Sequence, residues 1–233
     1  MTHSTTHFDR VAADWDSEPR RVVLMRSIAE KIVRVVPLDR EMDLLDYGCG
    51  TGLLGLFLLP YVGTVTGADN SPGMLAELQR KIAAGGVERI RAIQLDLERD
   101  PVPCARYHLI VSGMALHHIA DTDTVLRAFH TLLHPGGMLC LADLDTEPGI
   151  FHPAEMDSVV HHHGFDRAEI KRKLLSSGFS ELTDATAIRF FKQIQTTQKC
   201  AFPGTGWSDD RNDFSIHNFD ADIFKNRQTA ITL

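Results

Sequence analysis

The chain has no long apolar run, no paired cysteines and no excess of positive charge, and each absence narrows what it can be. No segment of its 233 residues is apolar for long enough to span a bilayer. Residues 1–9 are polar and lack the apolar core of a secretory signal, so a cytoplasmic location is expected. The four cysteines, Cys49, Cys104, Cys140 and Cys200, are scattered and make no C-x-x-C pair. That argues against a disulfide framework or a zinc knot. The formal net charge is −7, whereas a dedicated nucleic-acid binder would carry a basic face. Nucleic acid is therefore disfavoured as a partner. What is present, 43% hydrophobic and 24% charged residues, is ordinary for a soluble globular protein. The length suits one large domain, with or without appendages.

Strand and helix signals alternate with short links. Apolar residues recur with helical period from Arg20 to Val36, and Pro37 stands just past the end. Strands are expected at Leu44–Tyr47, Thr64–Asp69, Arg91–Leu95, Tyr107–Ser112 and Met138–Asp143, the last preceded by a Pro135-Gly136-Gly137 turn. Helices are expected from Leu53, Ser71, Asp121 and Asp166; Ser71-Pro72 is a strong start signal, a capping hydroxyl followed by proline. Such alternation predicts an α/β, Rossmann-like, doubly wound and mostly parallel sheet. Ligands of such sheets bind beyond the strand C-termini, where Asp46, Asp69, Asp96 and Ser112 are expected to converge.

The run Asp46-Tyr47-Gly48-Cys49-Gly50-Thr51-Gly52 is the most informative. A strand that stops in glycines and runs into a helix makes a cradle in which backbone N–H groups meet a ligand. The glycine spacing is not the dinucleotide G-x-G-x-x-G, and no Lys-Ser/Thr pair follows to make a phosphate loop. The acid before the glycines suits a ligand with a cationic head better than a pyrophosphate. This Asp-x-Gly-x-Gly-x-Gly pattern resembles motif I of the class I S-adenosylmethionine (SAM) dependent methyltransferases.

Further segments, over about residues 44–145, carry the same resemblance, and it implies SAM as cofactor. Asp46, Gly48, Gly50 and Gly52 would form the cradle, with Asp46 holding glycine-loop amides and facing the cationic end of the cofactor. Asp69 would accept both ribose hydroxyls, with Asn70 and Met74 flanking the adenine. Asp96 would meet the adenine amino group, and the Leu97 N–H a ring nitrogen. Ser112-Gly113 would hold the methionine amino group through backbone carbonyls. The run Leu116-His117-His118-Ile119 and the turn Leu133-His134-Pro135-Gly136-Gly137 resemble the ubiquinone/menaquinone-biosynthesis type. In that group Phe8 and Trp15 would belong to an N-terminal lid.

The resemblance implies an enzyme that transfers a methyl group to a small-molecule acceptor by in-line displacement. A general base is needed only if the acceptor must lose a proton. His117 and His118 are the candidates, and Phe8, Trp15 and His162 are candidates for the acceptor pocket. No metal site is expected: His130 and His134 have helical spacing but no third ligand, and His161-His162-His163 point in different directions. Alternatives are a methyltransferase acting on protein or RNA and a non-catalytic SAM-binding regulator. Ser112-Gly113-Met114-Ala115 replaces the Asn/Asp-Pro-Pro-Tyr run that marks amino-group methylation of bases or glutamine, which disfavours that subclass.

The expected organisation is a helical lid over 1–40, the SAM-binding domain over 41–195, and an atypical tail over 196–233. A sixth strand is expected from Glu181 to Phe191. The seventh, closing strand has no compact apolar candidate nearby. Phe214 to Ile223 would supply it after a long loop, or the tail beyond about Thr196 is poorly ordered.

Overall fold

The computed structural model describes residues 3–152, 154–183 and 222–225. The chain opens with helix α1 (His3–Val11), a 3-10 turn (Ala12–Ser17) and helix α2 (Pro19–Val35). Strand β1 (Asp43–Tyr47), helix α3 (Leu53–Leu58), β2 (Thr64–Asp69), α4 (Pro72–Gly85) and β3 (Ile90–Gln94) follow. Then come β4 (Tyr107–Gly113), a 3-10 turn (Leu116–His118), α5 (Thr122–Leu132), β5 (Leu133–Ala142), a 3-10 turn (Ala154–Val159) and α6 (Arg167–Ser176). Two short strands, β6 (Glu181–Thr183) and β7 (Asp222–Lys225), complete the described elements.

The sheet order is β3-β2-β1-β4-β5-β7-β6. Strands β1 to β5 run parallel, and β7 lies antiparallel between β5 and β6. The chain builds outward from β1 to β3, then returns to β4 on the other side of β1. That reversal opens a crevice at the C-terminal ends of β1 and β4.

Period-two alternation divides the core between the two faces of the sheet. Leu44, Val65, Leu109, Val111 and Cys140 pack against α2, α3 and α4 through Ile28, Ile32, Leu54, Leu58 and Leu78. Leu45, Ile110, Leu139 and Leu141 pack on the opposite face against Val125, Leu126, Phe129 and Leu174 of α5 and α6. The central strands carry apolar residues on both faces because both faces are covered.

The helix starts follow their signals. Ser71 caps α4 by accepting from Met74 N at 3.2 Å, with Pro72 in the first turn, and Gly86 ends that helix in a left-handed conformation at φ +59°. Asp121 caps α5 through Thr124 N at 3.0 Å, and Asp166 caps α6 through Glu169 N at 2.9 Å.

Three expectations shift. Strand β3 ends at Gln94, so Asp96 stands two residues beyond it in a loop, not at its tip. The expected Pro135-Gly136-Gly137 turn falls inside β5, as an excursion where the register jumps from Tyr107↔Leu133 to Leu109↔Met138. The closing strand is Asp222–Lys225, at the far end of the expected Phe214–Ile223 segment, and inserts antiparallel. The remainder of the expected sixth strand and of the tail beyond Thr196 lies outside the described residues.

Candidate functional site

The turn after β1 is built from local backbone demands. Gly48, Gly50 and Gly52 all have positive φ, at +68°, +53° and +80°. At Gly48 a side chain is excluded twice over: by φ, and because an added Cβ would stand 2.3 Å from the Ala115 Cβ. Gly48 N and Cys49 N both donate to Ala68 O, at 2.8 and 3.1 Å, which folds the turn back over the end of β2.

Asp69 closes the turn. Its Oδ2 accepts from Gly50 N at 2.8 Å and its Oδ1 from Ser71 N at 2.9 Å. Burial raises its pKa, against the opposing effect of those N–H donors. Asp46 sits one layer deeper. It is 1% exposed, and its Oδ2 accepts from Gly55 N of α3 at 2.8 Å. Burial lifts its pKa to about 7, opposed by the Gly55 bond and reinforced by the charge of Asp69. Burial also pushes the Cys49 thiol well up, which leaves it inert as a nucleophile.

These elements wall a cavity of about 410 Å³. Gly48, Gly50, Asp69, Asn70, Met74 and Gly113 line one side, and His117 and His118 line another. Phe8 and Trp15 reach in from the N-terminal segment. Phe8 meets Trp15 and His118 edge-on, with ring centroids 5.9 and 5.1 Å apart. The Arg21 guanidinium lies 3.7 Å over the Trp15 ring. Two acids fasten the segment down. Asp9 Oδ1 accepts from Ser71 Oγ at 2.6 Å and Gly73 N at 2.8 Å; Asp16 accepts from Thr51 Oγ1 at 2.6 Å through Oδ1 and pairs with Lys81 through Oδ2.

The histidine end is tightly constrained. His117 is 1% exposed; its Nδ1 lies 2.6 Å from Asp143 Oδ1 and its Nε2 lies 3.0 Å from His152 Nε2. Asp143 also accepts from Leu116 N and Leu144 N, each at 2.8 Å. Burial alone would raise the Asp143 pKa, but the adjoining His117 and the Leu144 N–H bring it below the usual carboxylate range. His118 Nδ1 lies 2.6 Å from Val159 O. Burial and the neighbouring His117 take the His118 pKa down to about 3, so its ring is neutral at physiological pH.

A family model described as a methyltransferase domain matches residues 44–137, from β1 into β5. Over that span the chain is similar to methyltransferase domains. An uncharacterised methyltransferase of Schizosaccharomyces pombe, C1347.09, is 35% identical over 137 residues, covering 53% of this chain and 48% of that protein. A malonyl-acyl-carrier-protein O-methyltransferase of Laribacter hongkongensis is 31% identical over 187 residues, covering 74% of this chain and 62% of that protein. The chain thus spans about half the length of the first of these relatives. The solved TehB-like SAM-dependent methyltransferase of Corynebacterium glutamicum shares the fold, with a TM-score of 0.61 at 19% identity, over 95% of this chain and 99% of that one.

Several of the expected site residues stand elsewhere than anticipated. Asp46, Gly52, Asp96, Leu97, Ser112 and His162 are not on the cavity wall. Asp46 holds the start of α3, and Asp69 is the acid that holds a glycine-turn amide. Leu97 N is already committed, donating to Tyr47 Oη at 3.0 Å, so it is not free for a ring nitrogen. Asp96 Oδ1 accepts from Glu98 N at 3.1 Å within its own loop. Ser112 is buried beneath Gly113, and its Oγ has no hydrogen-bond partner among the described residues. His162 supports the site from behind. Its Nε2 lies 2.9 Å from Ile119 O, and its backbone N donates to His117 O.

Sequence reasoning missed Tyr47, Met114 and His152, all on the cavity wall. Met114 has φ +57°, a left-handed conformation costly for a side-chain-bearing residue. His152 stands 35 residues beyond His117, in a segment with no periodic signal.

Proposed function

We propose that the chain transfers the methyl group of SAM to a small-molecule acceptor, leaving S-adenosylhomocysteine, and that it works in the cytoplasm. The observation that carries this reading is Asp69. Its carboxylate stands on the cavity wall, fixed through both oxygens by backbone N–H groups, with lone pairs remaining. A carboxylate so held accepts from two vicinal hydroxyls at once, which suits a ribose.

The neighbouring residues fit the rest of the cofactor. Gly48 and Gly50 offer a side-chain-free surface, Gly113 a backbone carbonyl for an ammonium group, and Asn70 and Met74 the flanks of an adenine. In this reading Asp46, Gly52, Asp96, Leu97 and Ser112 act as supports of the wall. The cavity volume lies within the range of small-ligand sites, roughly 300–1,000 Å³.

Bound there, SAM supplies a methyl group already activated by its sulfonium. The protein's part is to orient the acceptor in line and to exclude water. Orientation of this kind is worth roughly 7–11 kcal/mol of barrier. Phe8 and Trp15 cover the cavity, and His117 and His118 face the acceptor, the His118 ring being neutral. Net charge and the enclosing lid favour a small acceptor over a nucleic acid.

Calorimetric titration with SAM tests the cofactor, and release of S-adenosylhomocysteine with pooled acceptors tests the transfer. The expected result is one SAM per chain, with Asp69→Ala weakening it by about 10–100-fold, the worth of charged hydrogen bonds. Failure of the wild type to bind SAM at millimolar concentration, or binding without turnover on any acceptor, overturns the reading.

A further inference from the structure

We propose that His117, His118 and His152 form a binding site for a single zinc ion on the wall of the cavity. One ring nitrogen from each lies within 4.8 Å of the other two, and all three residues line the cavity. The proposal goes beyond methyl transfer and does not require it.

The proton inventory of the cluster points to a cation. Asp143 Oδ1 and Val159 O only accept hydrogen bonds, so the Nδ1 atoms facing them, of His117 and His118, carry the protons. In neutral rings, the Nε2 atoms of both residues then hold lone pairs. His152 also brings its Nε2 to 3.0 Å from His117 Nε2. One proton on His152 Nε2 would satisfy one of those lone pairs, not both. A divalent ion satisfies all three rings together.

The surroundings match what a histidine-bound zinc requires. A ligating histidine characteristically donates its second ring nitrogen to a carboxylate or a backbone carbonyl, which fixes its tautomer and orientation. His117 has the carboxylate and His118 the carbonyl. Zinc takes imidazole nitrogen at about 2.0–2.1 Å, which places neighbouring tetrahedral ligands about 3.3 Å apart. The His117–His152 separation, 3.0 Å, is already near that value, and the remaining separations, up to 4.8 Å, would close by about 1.5 Å on binding the ion. Three protein ligands leave a fourth position open, as in catalytic zinc sites. Here it would face the cavity. If methyl transfer proceeds as proposed above, a hydroxyl or thiol of the acceptor is the group that would coordinate there, and coordination lowers its proton affinity.

The site can be tested on the full chain without any acceptor. Apo protein, stripped with a chelator, is titrated with Zn²⁺ by calorimetry and with Co²⁺ by visible absorption, where ring-nitrogen ligation gives ligand-field bands. The expected result is one ion per chain. Affinity should fall by at least 10-fold in His152→Ala and in His118→Ala, and by about 10–100-fold in Asp143→Asn, whose loss unpins His117. His134→Ala, remote from the cavity, should bind as the wild type does. Thermal melting of each variant separates lost ligation from lost folding. His118→Ala carries the test if His152→Ala does not fold. Absence of stoichiometric Zn²⁺ and Co²⁺ binding in the wild type overturns the proposal. So does an affinity unchanged by either folded variant, because the ion then sits elsewhere. None of these outcomes depends on SAM, so failure of the metal site and failure of methyl transfer are read separately.

Discussion

Asp9 reaches across 62 residues of sequence to accept a hydrogen bond from Ser71 Oγ at 2.6 Å, and the same oxygen takes Gly73 N at 2.8 Å. Ser71 is also the cap of α4, and its backbone N donates to Asp69. The N-terminal segment is therefore latched to the same helix start that orients the carboxylate of the proposed ribose site.

Asp9→Ala removes the latch. Hydrogen bonds to a charged acceptor contribute about 1.5–3 kcal/mol, so the segment's docking weakens by about that amount. Hydrogen exchange checks this: amides of residues 3–17 should exchange faster, while those of β1 and β4 keep their protection. Unchanged exchange in the segment would show that the latch does not hold it.

Two glycine substitutions separate backbone strain from collision. Gly48 and Gly86 have similar φ, +68° and +59°, but an added Cβ meets Ala115 Cβ at 2.3 Å in the first and nothing within 4 Å in the second. Gly86→Ala should cost about 1–2 kcal/mol, the left-handed penalty alone. Gly48→Ala should cost a further ~1–3 kcal/mol from overpacking, because the Ala115 Cβ cannot swing aside. Urea unfolding measures both; equal midpoints would contradict the collision.

Asp46 makes stability depend on pH. Its pKa rises from 3.8 unfolded to about 7 folded, so between those values the folded state holds a proton that the unfolded state has lost. The resulting stability is fully present below pH 3.8 and is lost as pH rises through about 7. Asp69, also raised, adds the same sign. At ~1.4 kcal/mol per pH unit, the Asp46 contribution has a ceiling on the order of 4 kcal/mol. Asp46→Asn keeps an acceptor for Gly55 N and removes the ionisation. Relative to that variant, wild type should lose stability from about pH 4 to pH 7, read from melts at each pH. Parallel profiles for the two proteins would rule out Asp46 as the source.

Tyr47→Phe isolates one hydrogen bond. The ring keeps its edge-on contact with Phe129, at 5.1 Å between centroids, but Leu97 N loses the Tyr47 hydroxyl that accepts from it at 3.0 Å. A buried donor left unmet costs about 1–3 kcal/mol. The expected signature is a lower melting temperature with faster exchange at the Leu97 amide, and SAM affinity reduced several-fold as that wall loosens. Native exchange at Leu97 would mean that another acceptor takes over.

The alternation of strands and helices, the helix caps and the glycine turn were legible in the sequence because each is set by near neighbours. Positive φ calls for glycine, a helix start for a capping oxygen, and a two-faced central strand for an unbroken apolar run. Asp69 was legible for the same reason, as the acid at the end of a strand beside such a turn. The antiparallel insertion of β7 was not, since a four-residue strand far along the chain carries too little pattern to declare its partner.

Tertiary structure alone decided the contacts between distant residues. It joined Asp9 to Ser71, Tyr47 to Leu97 across 50 residues, Asp143 to His117 across 26, and His152 to His117 across 35. It also placed Asp46 and His162 off the cavity wall. A hydrogen bond between remote side chains leaves no periodicity and fixes no local dihedral, so nothing along the chain announces it. It exists only once the sheet has brought the ends of β1, β4 and β5 to one edge.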